Sequence, residues 1–308
     1  MPPTARELQE AGDHLFPARA AEEPDGQDPP EGPPRAARGI VKAGARAAQG
    51  RRSPRRTPSR PAAVRFALRD GVAWLTLDRP AAGNRLDPEV QGALADACAA
   101  AEEAREARVV VLAAHGRLFS AGLPPGCRWP EAAWPDGVGA VAALSKPVIA
   151  ALQGDALGWG LGLALACDLR IAARTAMLAL PEVGEGTLPG GGSMARLARI
   201  VGSARALEMV LLGTRLTAKR AVAWGLVSTV VEPGRLLATV RETARRLAAR
   251  GPLALRLAKE AVTAALDLPL GEGIRLEQDL YVLLQTTADR REGIRSFLER
   301  RRPRFGAR

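Results

Sequence analysis

Two glycine-containing loops are the parts of the sequence best suited to bind a reacting group. Phe119–Leu123 follows the apolar run Val109–Leu112, and Gly154–Gly160 follows the apolar run Pro147–Leu152. Glycine lets a ligand approach the backbone closely, and a helix N-terminus has unpaired N–H groups. Side by side, the two loops could direct N–H donors at a developing oxyanion. Taken alone, each loop is explained equally well as a tight packing turn.

The segments around these loops alternate between strand and helix patterns. Val64–Leu68 and Val72–Leu77 are predicted strands joined by a tight turn at Asp70-Gly71. A helix is expected from Asp87-Pro88 to about Arg108. The alternation predicts an α/β fold. The other predicted segments are a doubly buried strand at Val109–Leu112, strands at Pro147–Leu152 and Leu169–Ala172, helices near Val138–Ser145 and Gly158–Cys167, and mostly helix from Ser203 onward.

The ends of the chain differ from its middle in charge. The net charge of +11 combines about −6 in Met1–Pro34, about +9 in Arg35–Arg60 and about +6 in Arg290–Arg308, which leaves the remainder nearly neutral. Met1 to about Arg60 is rich in Pro, Ala and Arg, and we expect it to be disordered. Arg35–Arg60 lacks interleaved aromatic residues, so the sequence does not favour nucleic-acid binding.

Several classes of protein are disfavoured by composition. The sequence contains no apolar run of the roughly 20 residues that span a bilayer. The N-terminus lacks the pattern of a secretory signal. Cys98, Cys127 and Cys167 are widely spaced, with only two histidines in the chain, which argues against a disulfide framework or a zinc site. We therefore expect a cytoplasmic protein without a membrane partner.

Eight segments stand in a recognisable order along the chain. They are Asn84-Arg85-Leu86, Phe119–Gly122, Lys146–Gly154, Ala164–Ala172, Pro181–Gly184, Leu188–Gly192, Ala218–Val230 and Arg291–Phe305. In this order they resemble the crotonase superfamily, which includes the enoyl-CoA hydratase/isomerase family. The resemblance covers Val64 to Arg308.

The resemblance implies a fold and a class of substrate. The expected fold is an α/β spiral of ββα turns at residues 62–250, after a disordered extension at 1–61 and before a helical trimerisation region at 251–308. The expected substrate is an acyl-CoA thioester, whose coenzyme A belongs to the substrate, so no separate cofactor is expected. The expected assembly is a homotrimer or a dimer of trimers.

The resemblance also assigns the oxyanion donors, which are the N–H groups of Leu123 and Trp159. Ala121, Gly122, Gly158 and Gly160 of the same loops are expected to contact the substrate. Trp159 replaces a glycine that is usual in the family, so its indole either narrows the acyl pocket or is an ordinary core side chain. Two positions near the C-terminus, Phe297 and Arg300, match residues that contact coenzyme A, often from a neighbouring subunit. A solvated basic helix end is the alternative.

Hydratases of this family use two glutamates, and the sequence retains only one of them. The first position is Gly162, which has no side chain, whereas the second is Glu182. Glu185 either substitutes in part or is an exposed loop charge. A single carboxylate that moves a proton between two carbons favours isomerisation of an enoyl-CoA over efficient hydration. The alternatives are decarboxylation or another lyase reaction through the same enolate, and a catalytically weak acyl-CoA-binding protein.

Overall fold

The computed structural model describes residues 62–127 and 134–307. The predicted N-terminal extension at 1–61, with its basic run, lies outside these ranges. Strand β1 (Val64–Arg69) pairs antiparallel with β2 (Val72–Leu77). The joining residues Asp70 and Gly71 both have positive φ angles, as a two-residue hairpin of type I′ requires. The predicted hairpin is therefore confirmed.

Strands and helices are interspersed through residue 248, and the elements beyond it are helices. The segment from Ser203 onward is mostly helical, as predicted, but it also contains two short strands that were not predicted. The strands are β3 (Val109–Ala114), β4 (Val148–Leu152), β5 (Ala156–Leu157), β6 (Leu169–Ala173), β7 (Met177–Ala179), β8 (Leu216–Thr217) and β9 (Thr229–Val231). The helices are α1 (Pro88–Glu103), α2 (Gly137–Ala142), α3 (Trp159–Leu165), α4 (Ser193–Val201), α5 (Ser203–Leu211), α6 (Ala218–Ala223), α7 (Leu236–Ala248), α8 (Pro252–Ala265), α9 (Leu270–Gln285) and α10 (Ala288–Leu298).

The described strands form two sheets that the chain visits in turn. The larger sheet has the order β1-β2-β3-β4-β6-β9 and is parallel beyond the first hairpin, whereas the smaller has the order β5-β7-β8. A bridge between Ser120 and Ala156 adds a short piece of chain after β3 to the smaller sheet. Successive turns therefore place one strand in each sheet and then a helix. The sequence did not predict β9, which is short but joins the large sheet through β6.

Helix α1 ends earlier than predicted, at Glu103 instead of about Arg108. The N–H of Arg108 donates to the carbonyl of Gly71, and this bond begins the parallel pairing of β3 with β2. The chain must therefore leave the helix before residue 108. The Nζ of Lys146 donates to the carbonyls of Ala101, Glu102 and Ala104, and so satisfies acceptors that a helix end leaves unpaired.

The large sheet is covered on both faces, which explains its nearly continuous apolar strands. One face packs against α1 and α3 in the main core, and the other packs against Leu236, Val240 and Ala244 of α7. All but the last residue of β3 is buried, so the predicted burial on both faces is confirmed. The loops that follow β3 and β4 emerge at the same edge of this sheet, because the two strands are parallel neighbours.

Helices α8 and α9 pack on each other but keep many apolar side chains exposed. A groove of about 520 Å³ lies between them and is lined mainly by Ala, Leu and Ile side chains with Tyr281. Within the described ranges, no helix is both long enough and apolar enough to cross a membrane.

Candidate active site

The loop after β3 is held by an asparagine and a serine. The Nδ2 of Asn84 donates to the carbonyls of His115, 2.9 Å away, and Leu118, 3.0 Å away. The buried Oγ of Ser120 donates to the carbonyl of Asn84 at 2.8 Å. These bonds replace backbone pairing that the irregular loop cannot make for itself. They fix the loop immediately before its glycine.

The orientation of the Gly122–Leu123 peptide follows from one hydrogen bond. The N–H of Leu86 donates to the carbonyl of Gly122 at 2.9 Å. In a trans peptide the carbonyl and the next N–H point in opposite directions, so the Leu123 N–H points away from Leu86. That N–H donates no hydrogen bond to any residue that the structure describes. It is therefore available to an acceptor from outside the chain.

Arg85 supports the same loop and was not predicted as a site residue. Its guanidinium donates to the carbonyl of Ala121 at 3.2 Å and also to the carbonyl of Leu123. The only signal in the sequence is its place in the motif Asn84-Arg85-Leu86. The structure shows that this motif supports the loop through hydrogen bonds.

The second loop ends at the start of α3. Gly158 precedes the helix with a φ of 54°, a conformation that favours glycine, and its carbonyl accepts the N–H of Gly162 at 3.0 Å. The carbonyl of the Gly158–Trp159 peptide thus points along the helix, and the Trp159 N–H points out of the helix start. This amide lies at the positive end of the helix, where negative charge is stabilised.

The two loops are in backbone contact at their glycines. A Cβ atom at position 122 would lie 2.9 Å from the carbonyl oxygen of Leu157 and 3.4 Å from the amide nitrogen of Trp159. A Cβ atom at position 160 would lie 2.7 Å from the Cβ of Ser120. Only glycine permits these approaches, so Gly122 and Gly160 serve to bring the loops together. The structure thus places Gly122, the residue before Leu123, beside the start of α3.

Glu182 lies directly against the second loop. A Cβ atom at position 158 would lie 2.6 Å from its Oε1, so the absence of a side chain at Gly158 makes room for the carboxylate. Glu182 is 8% exposed, and neither of its carboxylate oxygens has a hydrogen-bond partner among the residues that the structure describes. Burial raises the pKa of the Glu182 carboxyl above its usual value, and the negative charge of Glu185 raises it further. Such a carboxyl exchanges protons at a higher pH than an ordinary glutamate does.

The space beside Gly162 is filled by another side chain. A Cβ atom at position 162 would overlap with the Oγ of Ser193, a fully buried residue whose hydroxyl donates to the carbonyl of Gly190. No carboxylate from α3 could enter without displacing this serine. The sequence did not single out Ser193, and only its spatial neighbours identify it. Glu185 is exposed on the surface, which agrees with the loop-charge interpretation.

The indole of Trp159 folds onto the loop between β7 and α4. A Cβ atom at position 190 would lie 2.6 Å from its Cε2, and one at position 191 would lie 3.2 Å from its Cε3. Trp159 is 3% exposed and belongs to the main core. The indole is thus packed in the core, which agrees with the interpretation of Trp159 as an ordinary core side chain.

Two predicted coenzyme A contacts lie apart from this cluster. Phe297 is at the end of α10 and is 82% exposed, and Arg300 follows the helix with a positive φ. Neither residue forms a hydrogen bond or ion pair with the glycine loops in the described ranges. The Nζ of Lys259, on α8, donates a hydrogen bond to the Oδ2 of Asp168 at 2.8 Å, and this bond links α8 to the core.

Known proteins resemble this chain over both loops and Glu182. A sequence model of the enoyl-CoA hydratase/isomerase family matches residues 67–308. The (E)-benzylidenesuccinyl-CoA hydratase of Thauera aromatica is 38% identical over 251 residues, which cover 79% of this chain and 98% of that protein. The 2,3-dehydroadipyl-CoA hydratase of Escherichia coli (strain K12) is 38% identical over 244 residues, which cover 77% of this chain and 96% of that protein. The crystal structure of enoyl-CoA hydratase from Bacillus anthracis has a TM-score of 0.77 at 33% identity, covering 80% of this chain and 100% of that chain.

Proposed function

The chain belongs to the enoyl-CoA hydratase/isomerase family, of the crotonase superfamily, and we propose that it isomerises an enoyl-CoA through an enolate with Glu182 as its single acid/base. The observation that supports this proposal most directly is the position of the Glu182 carboxylate, which is buried against Gly158 and next to the peptide of Trp159. A carboxylate beside the thioester carbonyl can reach the α-carbon, which is the carbon that an enolate-forming base must deprotonate.

The proposed reaction balances with one carboxyl group. The Glu182 carboxylate takes a proton from C2 of a 3-enoyl-CoA, and the C–H electron pair moves into a dienolate. The N–H groups of Leu123 and Trp159 stabilise the negative oxygen. The Glu182 carboxyl then returns the proton to C4, which leaves the double bond between C2 and C3. This chemistry requires only the thioester and the carboxyl, so no cofactor is part of the proposal.

Hydration makes a greater demand on the site than isomerisation does. Water must be activated while a proton is delivered to the α-carbon, and the family's second glutamate serves this step. In this chain the space at Gly162 holds the Ser193 hydroxyl, and no described side chain supplies a second carboxylate there. The relatives named as hydratases make hydration a real alternative. Loss of one general acid/base lowers a rate by roughly 10²–10⁴-fold, and we expect slow hydration for that reason.

The test compares two thioesters with two glutamine variants. Purified protein is incubated with 3-hexenoyl-CoA and with crotonyl-CoA, and products are separated by chromatography. We expect isomerisation of 3-hexenoyl-CoA, with a 10²–10⁴-fold lower kcat in Glu182→Gln. Glu242→Gln is the control, because it removes an exposed carboxylate on α7 that does not contribute to the pKa shift of Glu182. Fast hydration of crotonyl-CoA would contradict the single-base proposal.

One further outcome would support the alternative of a weak member. If both thioesters bind but neither is turned over, the chain binds acyl-CoA without efficient catalysis. Turnover of a 3-keto or 2-carboxy thioester instead would favour a lyase or decarboxylase on the same enolate. Each of these results would replace isomerisation as the function.

We also propose that the chain acts as a homotrimer or dimer of trimers in the cytoplasm. The exposed apolar side chains of α8 and α9 support self-association, because a monomer rarely leaves so many apolar groups in water. Assembly would also bring Phe297 and Arg300 of one subunit towards the coenzyme A bound by another. All three cysteines are free thiols, which is compatible with a reducing compartment.

A further inference from the structure

A cavity of about 710 Å³ lies at the edge of the large sheet where β3 and β4 begin. Arg108 immediately precedes β3, and Lys146 comes two residues before β4. The glycine loops of the candidate active site follow the same strands, so they lie at the opposite edge, about 20 Å away for a strand of six residues. The cavity is therefore separate from the candidate active site.

Positive charge exceeds negative charge around this cavity. Within the described ranges, none of the four cationic side chains forms an ion pair. The Glu102 carboxylate instead accepts the N–H and the hydroxyl of Ser145. The excess positive charge thus has no counterion among the described residues. The charged residues that line the cavity are Glu102, Glu103, Arg105, Arg108, Lys146 and Arg256.

The four cations differ in the hydrogen-bond donors that remain to them. The Nζ of Lys146 donates to three backbone carbonyls at the end of α1, so its three N–H bonds are already used. Arg108 donates from two of its terminal nitrogens to two backbone carbonyls, which leaves further N–H groups. Arg105 and Arg256 donate no side-chain hydrogen bond to any described residue. Three guanidinium groups therefore keep free donors, whereas Lys146 contributes charge alone.

The charge on Lys146 is held in an unfavourable environment. This residue is 8% exposed. Burial lowers the pKa of its ammonium, the Glu102 carboxylate opposes the shift, and the Arg256 guanidinium lowers the pKa further. Lys146 and Arg256 thus repel each other where the solvent screens them incompletely. An anion in the cavity would reduce this repulsion.

We propose that this cavity binds a phosphate dianion, either free or as the monoester of a small organic molecule. Guanidinium groups match phosphate oxygens in a bidentate geometry, and a dianion would balance the excess positive charge. The volume lies in the range of roughly 300–1,000 Å³ that is usual for small-molecule sites, so there is room for an organic group beside the phosphate. Arg105 and Arg108 precede β3 and Arg256 lies on α8, so a bound phosphate would link this helix to the core.

The test measures phosphate binding in full-length variants. Affinities for inorganic phosphate and for glycerol 3-phosphate are determined by calorimetry at pH 7.5, where the phosphate is mainly a dianion. We expect Arg105→Gln and Arg256→Gln each to weaken binding about tenfold, the effect of losing a charge-assisted hydrogen bond. Both side chains are exposed, so neither substitution should prevent folding. Arg235→Gln, at an exposed arginine just before α7, is the control.

A substitution of the opposite charge makes the test sharper. Glu103→Gln removes an exposed carboxylate that lines the cavity and should therefore strengthen phosphate binding. Phosphate should also raise the melting temperature of the wild type, because a ligand that binds only the folded state stabilises it, and this increase should be smaller in Arg256→Gln. A Glu103→Gln variant that binds phosphate more weakly than the wild type would contradict the proposal.

The two ligands distinguish the source of the phosphate. Tighter binding of glycerol 3-phosphate would support a phosphorylated metabolite, whereas equal affinities would support recognition of the phosphate group alone. If neither ligand binds, or if both bind equally well to all the arginine variants, the proposal fails, and phosphate held elsewhere on this basic chain is an adventitious ion only. Butyryl-CoA affinity should be unchanged in Arg256→Gln. A parallel loss of butyryl-CoA binding would place the cavity in the substrate site and overturn the assignment of a separate one.

Discussion

Glu182 is a buried carboxyl group whose side-chain oxygens have no hydrogen-bond partner in the described part of the chain. A buried polar group in this state costs about 1–3 kcal/mol, so the fold tolerates it at the expense of stability. Burial is the main cause of the raised pKa of the Glu182 carboxyl, and the negative charge of Glu185 raises this pKa further. At the scale of single residues, this unpaired carboxyl and the glycine that makes room for it are the strongest evidence for catalysis.

The pH dependence of activity follows from the direction of that pKa shift. A carboxyl must be ionised to act as the base, so kcat/KM should fall as the pH decreases through the raised pKa. The acid limb should therefore lie above the ordinary glutamate pKa of about 4.3. Steady-state kinetics across the pH range in which the protein stays folded would measure it. An acid limb at or below the ordinary value would contradict the assignment.

The raised pKa of Glu182 also predicts how stability depends on pH, and this dependence is opposite in sign to that of activity. A carboxyl with a raised folded-state pKa contributes stability below its unfolded pKa and loses that contribution as the pH rises through the folded value. Glu182→Gln should therefore be relatively more stable than the wild type at pH 8 than at pH 4. Thermal melts at the two pH values test this, with Glu242→Gln, an exposed glutamate on α7, as the control. A difference that does not change with pH would count against an ionising Glu182 in the folded protein.

Gly162 and Ser193 form a pair that excludes a second carboxylate. Gly162→Glu should destabilise the protein by about 1–3 kcal/mol, because its Cβ would overlap with the Ser193 hydroxyl. Adding Ser193→Gly should recover much of this loss and increase hydration of crotonyl-CoA relative to the wild type. Urea unfolding and hydration assays of the single and double variants measure both effects. Gly234→Glu, at a glycine with open space around it, is the control.

At the scale of elements, the parallel strands β3 and β4 position the two glycine loops that follow them, and other segments hold these loops in place. The segment Asn84–Leu86 supports the first loop through Asn84, Arg85 and Leu86 in turn. Its sequence position is distant from the loop, and it meets the loop only because β2 and β3 are neighbours. Geometry at the Leu123 N–H thus depends on an element that touches no substrate in the proposed reaction.

The role of this support can be tested at Arg85. Arg85→Met removes the donor to the carbonyls of Ala121 and Leu123 and should lower kcat/KM roughly tenfold, the cost of about one net hydrogen bond of 1–1.5 kcal/mol. The main effect should be on kcat, because a misplaced donor weakens binding of the oxyanion more than binding of the substrate. Arg69→Met, an exposed arginine at the end of β1, is the control. An unchanged kcat would show that the loop keeps its geometry without Arg85.

At the scale of the whole molecule, the main core is complete but the C-terminal helices are not covered. Leu270 is 81% exposed and Tyr281 is 64% exposed, and both line the groove between α8 and α9. A contiguous apolar surface of this kind is typical of an interface between subunits. The proposed catalytic cluster lies within one chain, whereas Phe297 and Arg300 form no hydrogen bond or ion pair with it in the described ranges.

Light scattering after gel filtration tests the assembly. We expect the wild type to elute as a trimer or a multiple of it, and Leu270→Glu with Tyr281→Glu to shift towards the 32.4 kDa monomer, because charges in an apolar interface oppose association. Leu237→Glu, an exposed apolar residue on α7, is the control. A monomeric wild type would contradict the proposed assembly.

The amino-acid sequence by itself determined the α/β class, the first hairpin, the two glycine loops and Glu182. The first three features are local, so periodicity and turn residues reveal them, whereas Glu182 was singled out by the resemblance to the enoyl-CoA hydratase/isomerase family. The early end of α1 and the strand β9 were not predicted, because both follow from pairing with distant chain: Arg108 with Gly71, and β9 with β6.

Only the tertiary structure decided what surrounds the proposed site at Glu182. The sequence shows that Gly162 lacks a side chain. It does not show that Ser193, 31 residues further along the chain, fills the space beside Gly162. It shows a tryptophan at position 159, but not that the indole rests on Gly190. Close packing depends on which surfaces meet in space, and a linear order of residue types does not contain that information.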